Sequence, residues 1–140
     1  MSKKIAPYGC WPSAISSELL TQGVTRLQEP QLAGDHCYWL ESRPQDQGRT
    51  VLVCQDGSGK QRDITLATMT VRTRIHEYGG GSYRVTTGAI YFVNDSDQRI
   101  YCLSEASGTP YPISPQGNYR YSDFCIDHHR QQLLTLLDLP

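Results

Sequence analysis

The sequence contains no block of charge of one sign and no long apolar run. Its 140 residues carry 13 basic and 14 acidic side chains, which gives a net charge of -1. Domains that bind nucleic acid concentrate basic residues on one surface, and a membrane-spanning helix needs about 20 mostly apolar residues. Lys3 and Lys4 are followed by Pro7 and Gly9, not by the apolar core of a signal peptide. We therefore expect neither nucleic acid nor a membrane among the partners.

Cysteine pairs at metal-binding spacing are also missing. The five cysteines are odd in number, form no C-x-x-C pair and lie far apart: Cys10, Cys37, Cys54, Cys102 and Cys125. Disulfide frameworks use even numbers of cysteines, and zinc sites use closely spaced pairs. We expect reduced, mostly buried thiols, no metal and no cofactor, in a cytoplasmic protein.

Residues that favour strands and turns are abundant, since the chain has nine tyrosines, twelve glycines and eight prolines. One short helix is predicted over residues 13–20, after Pro12, with Ser13 as its cap and Gly23 beyond its end. Everything that follows is predicted to form strands of four to six residues separated by turns. The sequence therefore indicates an all-β fold.

The predicted strands repeat. The stretch from Gly48 to Leu66 matches the stretch that begins 49 positions later at Asp97. In an ungapped alignment, residues 51–54 fall on residues 100–103, and the preceding strand, 37–40, corresponds to 89–92. A third copy begins near Asp123. Each unit is a four-stranded meander of the size of a propeller blade.

A partial β-propeller is the fold that we predict, with two full four-stranded blades and part of a third. The inner strands are continuous apolar runs, as expected when both faces of a strand are covered. A β-sandwich or an open barrel is the alternative left by periodicity alone. The predicted boundaries within the single domain 1–140 are 1–26 for an N-terminal segment with the short helix, 27–66 and 67–115 for the two blades, and 116–140 for the incomplete blade.

Several segments, in order and at compatible spacing, resemble the N-terminal propeller of the prolyl oligopeptidase family of serine peptidases, in particular its acylaminoacyl-peptidase-like and dipeptidyl-aminopeptidase-like members. The most specific is residues 71–83, V-R-T-R-I-H-E-Y-G-G-G-S-Y. The others are residues 6–13 (A-P-Y-G-C-W-P-S), 27–30 (L-Q-E-P), 38–44 (Y-W-L-E-S-R-P), 97–101 (D-Q-R-I-Y) and 120–124 (R-Y-S-D-F).

The resemblance implies a propeller that covers a C-terminal α/β-hydrolase domain and admits short peptides to its active site. That hydrolase domain is missing from this sequence. No G-x-S-x-G nucleophile elbow occurs, because the nearest match, Gly80 to Arg84, fails at its last position. We expect no catalytic residue in the chain and no activity of the chain alone. The alternative is a non-catalytic β-repeat module that binds a peptide or protein partner. Self-association through open strand edges is also expected.

The charged residues before the three glycines, Arg72, Arg74, His76 and Glu77, are the candidate substrate-binding residues. Charged side chains at these positions could bind the charged ends of a peptide, or they could form an ion-paired corner between blades. The three glycines permit a close approach of the backbone to a ligand or to a neighbouring strand. We expect Glu77 to be partly buried and paired with Arg72 or Arg74.

Overall fold

A computed structural model describes residues 5–10, 13, 15–17, 23–104 and 106–139. Over these residues the protein is all-β, and its strands form three antiparallel sheets. The strands are β1 (Arg26–Ala33), β2 (His36–Arg43), β3 (Arg49–Gln55), β4 (Gln61–Asp63), β5 (Tyr83–Thr86), β6 (Ala89–Val93), β7 (Ile100–Ser104), β8 (Tyr111–Pro112), β9 (Arg120–Asp127) and β10 (Gln132–Asp138). No helix within the described part of the chain is long and apolar enough to cross a membrane.

The first two sheets are four-stranded meanders in the orders β1-β2-β3-β4 and β5-β6-β7-β8, and β9 pairs with β10 in the third. This confirms the all-β class and the two full four-stranded units followed by part of another. The outermost strands β4 and β8 are short and exposed, as expected for sheet edges. Residues 14 and 18–20 of the predicted helix lie outside the described residues.

The apolar core lies between successive sheets. Leu40, Leu52 and Cys54 of the first sheet pack against Ile90 and Phe92 of the second. A second cluster joins the second sheet to the third through four buried side chains: Val93, Ile100, Tyr121 and Phe124. The middle strand β3 is buried at each of residues 51–54, so the sheets stack face to face as propeller blades do.

The register of the internal repeat differs by one residue from the ungapped alignment. Leu40 pairs with Leu52, and this pair faces the second sheet. Val93 pairs with Ile100, and this pair faces the third sheet. Leu52 is therefore equivalent to Ile100, whereas the ungapped alignment matches it with Tyr101. That slip would place Leu52 on the wrong face, because successive strand residues point to opposite faces.

The cysteines are all free, and they differ in exposure. Cys54 pairs with Arg62 and Cys102 with Tyr111, so the two buried thiols occupy equivalent positions in the first and second sheets. Cys37 is half-buried. The expectation of mostly buried thiols is wrong for the remaining two, Cys10 and Cys125, which are exposed.

Candidate functional site

The segment of residues 64–82, here called the linking segment, joins the outer strand β4 to the inner strand β5. From Val71 to Ile75, apolar or small side chains that are buried alternate with exposed arginines. The amide of Val71 donates to the carbonyl of Thr50 at 2.9 Å, and the amide of Arg72 donates to the carbonyl of Val93 at 3.1 Å. The segment is thus attached to both four-stranded sheets, and Arg72 and Arg74 point away from the core.

The next residues form a strained turn. Ile75–Glu77 is a single 3-10 turn in which His76 and Glu77 have φ values of 50° and 59°. Two successive non-glycine residues in this left-handed region are rare, because the Cβ atom crowds the backbone there. Tyr78 follows and is 96% exposed. Such strain persists only where surrounding contacts impose it, and these contacts come from the third sheet.

Ion pairs attach the strained turn to that sheet. Glu77 pairs with Arg120, whose guanidinium also donates to the carbonyl of Arg74 at 3.1 Å. The amide of His76 donates to the carboxylate of Asp138 at 3.2 Å. The predicted partner of Glu77 is therefore wrong. The partner is Arg120 and not Arg72 or Arg74, and Glu77 is 71% exposed, not partly buried as expected.

Arg74 has a separate partner, the carboxylate of Asp95 at 2.8 Å. Asp95 lies in the turn between β6 and β7, so this pair joins the linking segment to the second sheet. Arg72, by contrast, has no side-chain hydrogen bond or ion pair with any residue that the structure describes. The four predicted residues thus have different surroundings, and three of them are engaged in structural contacts.

The three glycines allow the backbone to approach β9 closely. Gly79 has a φ of +85°. A Cβ atom on Gly80 would lie 2.9 Å from the Oγ of Ser122, and one on Gly81 would lie 2.7 Å from the Oδ1 of Asp123. The amide of Gly81 donates to that same carboxylate at 2.9 Å. In this structure the close approach is to a neighbouring strand.

Glu29, which the sequence analysis did not select, lies on the other side of the glycines. It occupies a bulge in β1 with a φ of 51°. Its carboxylate accepts a hydrogen bond from the amide of Ser82 at 2.9 Å, and its carbonyl accepts one from the hydroxyl of Tyr83. Burial is the main reason that the pKa of Glu29 is raised, and the negative charge of Asp123 adds to the effect.

A cleft of about 790 Å³ opens beside the linking segment. Arg72, Arg74 and Glu77 contribute to its lining, but His76 does not. The other arginines in its walls are Arg26 at the start of β1 and Arg49 at the start of β3. The structure therefore places three of the four predicted residues around one concave surface.

Comparisons with known proteins give matches among solved structures only. No family model matches the chain, and no curated protein matches it. A puromycin-hydrolyzing peptidase of Mycobacterium tuberculosis aligns with 96% of this chain at 35% identity and a TM-score of 0.84, over 22% of its own length. A puromycin hydrolase aligns with 91% of this chain at 28% identity and a TM-score of 0.76, over 21% of its own length.

This chain is a propeller segment of the prolyl oligopeptidase family. The chain spans about a fifth of the length of the solved structures that it matches. The family resemblance predicted from residues 71–83 is confirmed. In this prolyl oligopeptidase propeller segment, the signature residues connect three successive sheets and form one wall of the cleft.

Proposed function

We propose that the chain is part of a propeller that controls substrate access to a serine peptidase of the prolyl oligopeptidase family. In this proposal, an α/β-hydrolase domain outside the 140 residues supplies the catalytic serine, aspartate and histidine. The observation that carries the proposal is the alignment of 96% of the chain with about a fifth of a puromycin-hydrolyzing peptidase. Short peptides and aminoacyl amides related to puromycin are the proposed substrates, and the cytoplasm is the proposed location.

The cleft supports this proposal by its size and its chemistry. A volume of about 790 Å³ lies within the range of roughly 300–1,000 Å³ that is usual for small-molecule sites. Its walls carry fixed charges of both signs, which suit the two charged ends of a short peptide. A cleft of this volume is too small to hold a folded protein.

Access control can be tested in a protein that contains this chain together with a hydrolase domain. Gly81→Val adds a branched side chain where even one carbon would lie 2.7 Å from the Asp123 carboxylate, and this should loosen the contact between the linking segment and β9. We expect cleavage of long peptides to rise relative to cleavage of a short aminoacyl amide. An unchanged ratio, with increased hydrogen exchange at β9, would overturn the proposal.

The catalytic part of the proposal has a separate test. The isolated 140-residue chain should not hydrolyse an aminoacyl chromogenic substrate and should not react with a serine-directed phosphonate, because the chain has no nucleophile elbow. Turnover that the phosphonate blocks would show that the chain has an active site of its own.

A non-catalytic module that binds a protein partner is the second candidate function, and the third sheet favours it. Among the residues that the structure describes, β9 is the one strand that pairs with β10, and the exposed side chains on β10 include Leu134, Leu136 and Leu137. Strands with an unpaired edge readily accept another strand. An isolated chain that binds a peptide by extending this sheet, with no hydrolase domain in the native protein, would favour this function over the first.

A further inference from the structure

The inner strands of the first and third sheets, β1 and β9, share a sequence pattern and a backbone irregularity. Both β1 and β9 have eight residues, begin with an arginine and have an acidic residue at the fourth position. These acidic residues, Glu29 and Asp123, have φ values of 51° and 54° and lie at bulges. Their carboxylates accept hydrogen bonds from adjacent amides of the linking segment. Arg26 and Arg120 are therefore equivalent positions.

The function of this position is visible at Arg120, which binds a carboxylate. Its guanidinium pairs with Glu77 and also donates to the carbonyl of Arg74. Arg26 has the same place on its strand, is exposed and lines the cleft. Its side chain has no hydrogen bond or ion pair among residues 5–10, 13, 15–17, 23–104 and 106–139. Arg26 is thus an arginine in a carboxylate-binding position without a carboxylate.

Most of the other charged side chains of the cleft already have a partner, and the carboxylate of Glu29 accepts a hydrogen bond from the amide of Ser82. Arg49 binds the carboxylate of Asp46 at 2.6 Å, and Arg74 binds Asp95. Glu77 is held by Arg120. Of the arginines that line the cleft, Arg26 and Arg72 remain without a side-chain partner in the described part of the chain.

We infer that Arg26 and Arg72 form a subsite for a carboxylate, and that its ligand is the C-terminal carboxylate of a short peptide. A guanidinium can donate two parallel hydrogen bonds to one carboxylate, and this geometry selects carboxylates over neutral groups. A cation or a neutral amide cannot form this pair of charged hydrogen bonds, so such a site does not favour its binding. The choice of a peptide as the ligand rests on the proposed access function, whereas the carboxylate subsite rests on the equivalence of Arg26 with Arg120 and on the lack of a side-chain partner for Arg26 and Arg72 among the described residues.

Binding to the 140-residue chain tests the subsite without any catalytic step. Calorimetric titration would compare dialanine, dialanine amide, acetyl-aspartate amide and inorganic phosphate. We expect dialanine to bind at least about tenfold more tightly than its amide, because a hydrogen bond to a charged group is lost in the amide. Binding of acetyl-aspartate amide as tightly as dialanine would overturn the assignment to a peptide C-terminus, and preferential binding of phosphate would overturn the carboxylate subsite.

Substitutions locate the subsite. Arg26→Gln and Arg72→Gln should each weaken dialanine binding about tenfold or more, and should leave the melting temperature unchanged because neither side chain has a structural partner. Arg62→Gln is the matched control, since Arg62 is an exposed arginine on β4 outside the cleft. Equal binding of dialanine and its amide, or equal binding by all three variants and the parent, would overturn the inference. A further outcome is that dialanine binds as expected while a protein that also contains the hydrolase domain cleaves long peptides as readily as short ones. In that case the access function fails and the subsite stands.

Discussion

Gly81 is a residue at which the linking segment lies very close to the third sheet. Its amide donates to Asp123, and its carbonyl accepts from the amide of Asp123, both at 2.9 Å. A side chain would have to occupy the space of the Asp123 carboxylate. At this position glycine is required by the distance between two backbones, since its φ is not among the positive ones.

The first prediction concerns that distance. Gly81→Ala should lower the free energy of unfolding by about 1–3 kcal/mol, as overpacking does in tight sites. In an Asp123→Ala background the same substitution should be less costly, because the colliding carboxylate is absent. Chemical denaturation of the four proteins in this double-mutant cycle measures the difference. Additive costs would show that Asp123 does not limit the space at Gly81.

The second prediction concerns Glu77, whose surroundings differ from the sequence-based expectation. Removal of one partner from a buried ion pair would lower the free energy of unfolding by about 3–5 kcal/mol. Glu77, however, is 71% exposed. Glu77→Ala should therefore lower the free energy of unfolding by only about 0–1 kcal/mol. A loss of several kcal/mol in a urea titration would show that the ion pair is more important to folding than its exposure indicates.

The third prediction is a pH dependence that arises from Glu29. Burial raises the pKa of this carboxyl in the folded state, so the folded protein holds the proton more tightly than the unfolded chain. Ionisation of Glu29 therefore lowers stability as the pH rises above about 4.5, its ordinary value. In Glu29→Gln this loss disappears, while the amide oxygen can still accept the hydrogen bond from Ser82.

Thermal melts at pH 4 and pH 7 measure the effect. The melting temperature of Glu29→Gln minus that of the parent should be higher at pH 7 than at pH 4. Asp63 provides a control of opposite sign, since its hydrogen bond with Arg43 lowers its pKa. Asp63→Asn should lose stability at pH 7 and lose less once the pH falls below 3.8, the ordinary pKa of this carboxyl, so the melts of this control extend to about pH 2. A pH-independent difference for Glu29→Gln would contradict the account.

At the scale of the element, β10 is the strand with the most exposed apolar side chains. Leu134, Leu136 and Leu137 are each more than half exposed, and β9 is the strand with which β10 pairs. An edge strand of this kind presents free backbone groups together with apolar side chains, which is the usual condition for strand-to-strand association. The isolated chain is therefore expected to self-associate through β10.

The fourth prediction tests this edge. Leu136→Lys should reduce self-association of the isolated chain, because a charged side chain on an edge strand opposes pairing with another strand. Leu66→Lys is the matched control, since Leu66 is similarly exposed but lies in the linking segment. Sedimentation velocity compares the three proteins. A compact monomer in the parent chain, or an equal effect of both substitutions, would argue against association through β10.

The sequence was sufficient to predict individual elements but not every relation between them. The apolar run of residues 51–54 predicted a covered strand because local composition records burial. The repeat register was wrong by one residue because the turn after Cys102 is one residue longer than the turn after Cys54, and an ungapped alignment cannot detect this. Arg120 lies 43 positions from Glu77, so no local pattern could identify it as the partner. Glu29 was missed, although the acid that β1 and β9 share at the fourth position was available as a signal.

At the scale of the whole molecule, the proposed peptidase function requires residues outside this propeller segment. The three sheets stack through two apolar clusters, and the linking segment connects all three. The solved peptidases that match the chain are about five times as long as the matched region. The central claim is that these 140 residues serve a serine peptidase without containing its active site.

The fifth prediction is the most direct test of that claim, and it is the intact mass of the native protein before and after treatment with a serine-directed phosphonate. We expect a polypeptide well above the 15.8 kDa of this chain, which gains the mass of one phosphonyl group. Proteolytic mapping should locate the adduct outside residues 1–140. A native protein of 15.8 kDa that gains no adduct, or an adduct within these residues, would contradict the account.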